Sequence, residues 1–314
     1  MAMKPIRFIP DDTKIPFMRL SRFGFFVSGI LCTIAFALFL TVGLNYGVDF
    51  KGGTLLIVRT ADAANLDQLR ATVDGLKLGA GELQEFGSPR DVLIKIPAQP
   101  GGDAEQTAAA TKVKDALGPT VEILSVETVG PKVSAELEQQ GILAVVIAII
   151  GILFYVWFRF EWQFAVGAVL SLLHDVILTI GLFCILRTEF NLQIIAAILT
   201  IIGYSLNDTV VVFDRIREFM RKYKMMGLAD LIDFSINSVL PRTLLTSVTT
   251  LIALIALYVF GGEVIRGFTF AMIWGVLVGT YSSIFIASPV LIILGSKRDW
   301  AAQGEKDRAE KARP

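Results

Sequence analysis

The sequence is poor in charge, in histidine and in cysteine. Of its 314 residues only 18% are Asp, Glu, Lys or Arg, against about a quarter in ordinary soluble domains. Its 29 basic and 29 acidic residues cancel, so there is no dominant basic field of the kind that binds nucleic acid. The lone histidine, His174, excludes any site built on paired histidines. Cys32 and Cys184 both sit in apolar runs, which argues against a disulfide framework and against a thiolate metal site. No Walker-type phosphate loop is present, so ATP bound to this chain is not an expected energy source and no cofactor is expected.

What the sequence has is apolar length. Hydrophobic residues make up 54% of the chain, and the mean hydropathy is +0.63. A membrane-spanning helix needs about 20 mostly apolar residues. Six stretches qualify: 23–44, 141–158, 164–186, 192–213, 244–260 and 268–294. The first is too long for a signal-peptide core and no small-residue cleavage site follows it, so it reads as a retained anchor. Lys and Arg gather before the first span (Lys4, Arg7, Lys14, Arg19, Arg22), after the fourth (Arg215, Arg217, Arg221, Lys222, Lys224) and in the tail from Lys297 to Arg313. Arg187 and Arg266 stand alone in the opposite connections. The bias predicts both termini in the cytoplasm and residues 45–140 on the far side, in the periplasm of a didermic bacterium. Phe154, Tyr155, Trp157, Trp162 and Phe164 form an aromatic belt around a short cytoplasmic turn.

The expected fold is a polytopic α-helical membrane protein with six transmembrane helices and a small α+β domain between the first two. The expected divisions are a cytoplasmic N-terminus at 1–22, the domain at 45–140, helices through 141–295 with a cytoplasmic segment near 214–242, and a cytoplasmic tail at 296–314. Within 214–242, Leu228 to Leu240 is mildly amphipathic and reads as a helix along the membrane surface. In the domain, Thr54–Arg59, Leu83–Phe86, Val92–Ile96 and Val121–Val129 read as strands. Asn65 to Leu76 and Asp103 to Leu117 read as helices, giving a ferredoxin-like βαββαβ sandwich. Such a domain serves either as a folded shield over the spans or as a platform for something outside the membrane. At its entrance lies Gly47-Val48-Asp49-Phe50-Lys51-Gly52-Gly53, whose paired glycines a turn alone would explain.

Ionisable residues at membrane depth are costly and mark function by default. His174 and Asp175 lie near the middle of span three, and Asp208 lies in span four inside Tyr204-Ser205-Leu206-Asn207-Asp208-Thr209. Arg242 opens span five after Pro241, and Thr246 with Thr249 or Thr250 shares its helix face. An Asp whose distance to an Arg changes with conformation can load and release a proton. The alternative is a static ion pair that fixes helix packing. His174 and Asp175, as neighbours, point about 100° apart, so Asp175 could instead bond an adjacent helix. Gly275 and Gly279 form a small-xxx-small pair suited to close helix contact.

Taken together, the residues from about 20 to 295 resemble the SecF family of bacterial protein-export subunits. The resemblance rests on Gly47 to Gly53, on Leu173-His174-Asp175, on Ile202 to Arg217 and on Asn237-Ser238-Val239-Leu240-Pro241-Arg242-Thr243, with Val48 and Val239 as mild variants. It implies a relation to the resistance-nodulation-division transporters and a similar six-span partner half, SecD. It further implies association with the SecYEG translocon, and with YajC and YidC, in the export of unfolded preprotein, with protons as the coupling ion. The family's relay Asp and Arg match Asp208 and Arg242, with His174 and Asp175 as further candidates, Asn207, Thr209, Thr246 and Thr250 as supporting polar groups, and Asp49, Phe50, Gly52 and Gly53 as an entrance motif.

Three other readings remain open on sequence. Half of a proton-driven efflux or lipid transporter would share fold and relay, although a domain of about 90 residues leaves little room for a drug-sized pocket. A membrane-embedded hydrolase would need Ser171, one turn before His174, as nucleophile. A purely structural subunit would be indifferent to Asp208→Asn.

Overall fold

The computed structural model describes residues 13–295. Lys4, Arg7 and the basic tail from Lys297 onward, used above for orientation, lie outside the described residues. Helix α1 (Phe17–Thr41) starts directly after Pro16. A short strand β1 (Asn45–Tyr46) and a single helical turn α2 (Val48–Lys51) then lead to β2 (Gly53–Thr60). Helix α3 (Leu66–Asp74) is capped by the Asn65 side chain, which accepts from Gln68 N. The hairpin β3 (Glu82–Phe86) and β4 (Ser88–Pro97) follows, then α4 (Asp103–Leu117) and β5 (Val121–Val129).

These strands form one antiparallel sheet in the order β3-β4-β2-β5. The element sequence β2-α3-β3-β4-α4-β5 is the expected βαββαβ, and the first and third strands lie side by side at its centre. One face of the sheet packs Leu56, Val58, Val92, Ile94 and Ile96 against Val73 of α3 and Val113 of α4. Full burial of such side chains stabilises the sandwich by about 1.5–3 kcal/mol each.

The remaining chain is helical: α5 (Pro131–Arg159), α6 (Trp162–Leu186), a two-residue strand β6 (Glu189–Phe190), α7 (Leu192–Lys222), α8 (Leu228–Phe260), α9 (Glu263–Ser282), a π-helical turn (Ser283–Ala287) and α10 (Ser288–Ile293). Six of these segments are long and apolar enough to cross a membrane: α1, α5, α6, α7, α8, and α9 through α10. Several are longer than their apolar runs. Helix α5 begins at Pro131, where a proline fits the first turn, rather than at Gly141. Helix α7 carries on past the apolar run to Lys222.

Leu228 to Leu240 is not a separate helix. It is the first part of α8, which runs through Pro241 without a break. A proline inside a helix removes one backbone bond. Here packing compensates: Leu231, Ile232, Ile236, Val239 and Leu240 lie in one core with Ile216, Phe219 and Met220 of α7.

Lipid tails are as apolar as Leu, so contact between spans is held by close packing and polar bonds. Glycines provide the approach. A Cβ on Gly275 of α9 would lie 2.2 Å from Ile201 of α7, and one on Gly279 would lie 3.0 Å from Ser205 Cβ. On the other side of α6, a Cβ on Gly181 would lie 2.3 Å from Ala35 of α1. Helices α6, α7 and α9 are thereby drawn into the centre of the bundle. The most apolar windows of α5 and α8 are only 11% buried, against 67% for the last span, so α5 and α8 present broad outer faces.

Candidate functional site

Two carboxylates lie buried among the central helices. Asp175 of α6 is fully buried and Asp208 of α7 is 7% exposed. A buried carboxylate must be paired or hydrogen-bonded. Asp175 accepts from Ser205 Oγ of α7 at 2.6 Å and from Ser282 Oγ of α9 at 2.8 Å. His174 Nδ1 lies 2.9 Å from its other oxygen. Asp208 accepts from Ser283 Oγ at 2.7 Å. Ser205 and Asp208 sit three residues apart on α7, so one helix face brings a donor to the first carboxylate and carries the second. Ser282 and Ser283 mark the step from α9 into the π-helical turn, a backbone form often found at functional positions.

Around Asp208, the hydroxyls of Thr209 and Thr243 are buried and have no hydrogen-bond partner. Thr243 lies beside the Asp208 carboxylate without reaching hydrogen-bond geometry. The other ring nitrogen of His174, Nε2, is also buried and unpartnered. Its ring tilts against Tyr281 at 6.0 Å, and Tyr281 Oη donates to the Gly24 carbonyl of α1 at 3.0 Å.

The sequence paired Asp208 with Arg242, and the structure does not bring them into contact. Arg242 is exposed on α8 and, among the described residues, has no hydrogen bond or ion pair. The reason is rotational: Thr243, one residue on, is the buried position that faces Asp208. Asn207 and Thr246 are also exposed, and Thr250 is half-buried. Thr246 Oγ1 donates to the Thr243 carbonyl at 2.9 Å and Thr250 Oγ1 to the Thr246 carbonyl at 2.8 Å. Arg242 and Thr246 are exposed on α8 with Thr250 half-buried beside them, while Thr243 and Ser247 of the same helix turn into the bundle.

Ser171 does not address His174. Its hydroxyl donates to Ser282 Oγ at 2.8 Å, which extends the Asp175 network. No nucleophile–base contact of the type a hydrolase requires is formed there. Among the described residues no group of three His, Cys, Asp or Glu side chains is placed to hold a metal ion.

The glycine motif is a joint between sheet and helices. Gly53 has φ +136°, and a Cβ there would stand 2.4 Å from the Ile96 carbonyl oxygen of β4, so only glycine fits. Asp49 Oδ2 accepts from Leu192 N at 2.8 Å and so caps the start of α7, together with Asn191. Phe50 is buried against Tyr46 and Phe190 at ring distances of 5.9 and 6.0 Å. Strand β1 pairs in parallel with β6, and Lys95 of β4 lies 3.4 Å from Glu189. Glu127 of β5 faces this joint, and burial, with the charges of Asp49 and Glu189, pushes its carboxyl above the usual range.

Sequence reasoning missed Ser282 and Ser283. The available signal was two consecutive hydroxyls inside the apolar run of span six, but serine is common in helices that pack closely.

The comparisons with known proteins agree with this architecture. A family model for the protein export membrane protein SecD/SecF, C-terminal, matches residues 109–297. A model of the SecD/SecF GG motif matches residues 37–64, which contain the joint. The protein translocase subunit SecF of Cereibacter sphaeroides is 43% identical over 302 residues, covering 93% of this chain and 93% of that protein. The protein translocase subunit SecDF of Brucella abortus is 45% identical over 308 residues, which is 98% of this chain but 41% of that longer protein. The crystal structure of SecDF from Thermus superposes with a TM-score of 0.82 at 34% identity, over 93% of this chain and 40% of that one. The chain thus spans about two fifths of these SecDF proteins and nearly the whole of the SecF relative. With a buried two-carboxylate centre in a six-span bundle and the glycine joint in place, the chain belongs to the SecD/SecF family of protein export membrane proteins.

Proposed function

We propose that this chain is the SecF-type half of a Sec accessory complex that uses the proton gradient to drive late stages of preprotein export. The observation that carries the reading is Asp208: a carboxylate buried at membrane depth, held by one serine hydroxyl, beside a helix face that exposes an unpartnered Arg242. A bare guanidinium at that depth is costly and calls for a partner. The SecDF relative extends well beyond the length of this chain, and in this reading SecD supplies the partner. Docking of SecD covers Arg242, Asn207 and Thr246 and brings further charge toward Asp208. Protonation of Asp208 removes its negative charge and weakens its attraction to Arg242. The helices repack, and the sandwich follows through the joint at Asp49 and Gly53.

In this proposal the sandwich faces the periplasm, both termini face the cytoplasm, and the bilayer is the inner membrane. The partners are SecD, the SecYEG translocon, YajC and YidC, and the unfolded chain in transit. The test is proton-gradient-dependent export into inside-out vesicles carrying SecD and this chain, with Asp208→Asn compared with the parent at equal assembly. The gradient-dependent part of export is expected to vanish. An unchanged response makes Asp208 a packing residue and ends the relay reading.

A further inference from the structure

At the end of the bundle that carries Thr13 and Gly295, the first and last described residues, α1 lies beside α8 and α10. A groove of about 940 Å³ opens between them. Its α1 wall presents Arg19, Arg22, Phe25 and Phe26, and its α10 wall presents Ile292 and Ile293. Arg19 and Arg22 are three residues apart and share a helix face. Both are exposed, and among the described residues neither has an ion pair or hydrogen bond. Phe25 and Phe26 lie further into the span, Phe26 about 6 Å beyond Arg22 along the helix. At its mouth the groove carries Arg19 and Arg22 with Ile292 and Ile293, and Phe25 and Phe26 extend its apolar lining further into the span.

Two carboxylates also reach the groove, Asp230 and Asp233 of α8. Asp233 is engaged with the N-terminus of α1, and Asp230 lies at the N-terminus of its own helix. Asp233 Oδ1 accepts from Met18 N at 2.8 Å and so caps α1. Asp230 sits in the first turn of α8, where the helix dipole favours an anion. The two guanidiniums have no such compensation, so the unmatched charge of the mouth is positive. Arginine forks bind phosphate oxygens with charge-assisted hydrogen bonds. Basic pockets between spanning helices at a membrane surface are suited to anionic head groups.

We propose that this groove binds one anionic phospholipid from the adjacent leaflet. Its phosphodiester lies on Arg19 and Arg22, and one acyl chain runs inward along Phe25 and Phe26. The site is remote from the Asp175–Asp208 centre and does not depend on the proton reading.

The test is native mass spectrometry of the full chain released from nanodiscs of equal phosphatidylglycerol and phosphatidylethanolamine. The parent is expected to retain a phosphatidylglycerol adduct in preference to phosphatidylethanolamine. Arg19→Gln with Arg22→Gln is expected to reduce that adduct by about tenfold or more. Lys112→Gln with Lys114→Gln, a charge-matched pair on the sandwich helix α4, is expected to leave it unchanged. Ala229→Trp keeps both arginines and fills the groove, and is expected to lose the adduct as well. That variant decides the matter if the double arginine variant fails to fold. Equal retention of the two lipids, persistence of the adduct in the arginine variant, or persistence in Ala229→Trp overturns the proposal. So does efficient cross-linking of an Arg22→Cys variant to residues 1–12 or to another polypeptide, which would show the groove filled by protein.

Discussion

Ser282 and Ser283 are consecutive in the chain, yet they donate to carboxylates on different helices. Ser282 reaches Asp175 of α6 at 2.8 Å, and Ser283 reaches Asp208 of α7 at 2.7 Å. Where the last span passes from α9 into the π-helical turn, it ties the two buried acids to one short stretch of backbone. Hydrogen bonds to charged groups contribute about 1.5–3 kcal/mol. Ser282→Ala and Ser283→Ala are each expected to lower stability by about that amount in thermal unfolding of the detergent-solubilised protein. Ser171→Ala removes an outer donor to Ser282 and is expected to cost about 1 kcal/mol. A cost for Ser283→Ala indistinguishable from zero would mean that Asp208 does not rely on this bond.

The glycine joint makes a sharper prediction. Gly53→Ala forces a side chain into a positive-φ position and against the Ile96 carbonyl, at a cost of about 1–3 kcal/mol or more. Gly102→Ala also sits at positive φ but meets open space, so its cost is limited to backbone strain. The melting temperature of Gly53→Ala is expected to fall further than that of Gly102→Ala. Equal falls would show that the close approach to β4 carries no weight.

Asp49 caps α7 through Leu192 N, so Asp49→Ala is expected to destabilise the first turn of α7 by about 1 kcal/mol. Faster hydrogen exchange at Leu192 and its neighbours, with Asp49→Asn near the parent rate, would bear this out. Unchanged exchange in Asp49→Ala would leave Asn191 as the sole effective cap.

The sandwich is expected to respond to acid through one ion pair. Arg59 holds Asp91 through both guanidinium arms, Nε at 2.7 Å and Nη2 at 2.9 Å, and this keeps the Asp91 carboxyl below the usual carboxylate range. Because the folded value is depressed, the pair stabilises the domain above the unfolded value of about 3.9. That contribution is lost as pH falls through the folded value. Hydrogen exchange in β4 should therefore accelerate in acid in the parent. Arg59→Gln should show a smaller change over the same range, and an identical acid profile in both would count against the pair.

Apolar length made the six spans legible, because it is a property of composition within a window. Helix ends were less so. Pro131, Lys222 and the union of Leu228–Leu240 with span five depend on what each segment packs against, and local pattern does not carry that. Asp175 and Asp208 stood out as acids in apolar runs. Their serine partners did not, since a helical hydroxyl commonly bonds its own preceding turn, as Thr269 does to the Ile265 carbonyl and Thr280 to the Val276 carbonyl. Spacing correctly grouped Arg242 with Thr246 and Thr250, but it could not say which neighbour that face meets. In this structure Thr243, one residue past Arg242, is the α8 side chain that lies beside Asp208.

Helix α7 begins under the Asp49 cap and carries Asp208 part-way along its length. At 1.5 Å per residue, the span from Leu192 to Asp208 is about 24 Å. One continuous helix thus joins the buried acid to the end that Asp49 holds against the sandwich. A tilt of about 10° around Asp208 sweeps the Leu192 end through about 4 Å. A rotation that moves atoms little at Asp208 would thus displace the capped end by nearly the spacing between adjacent strands.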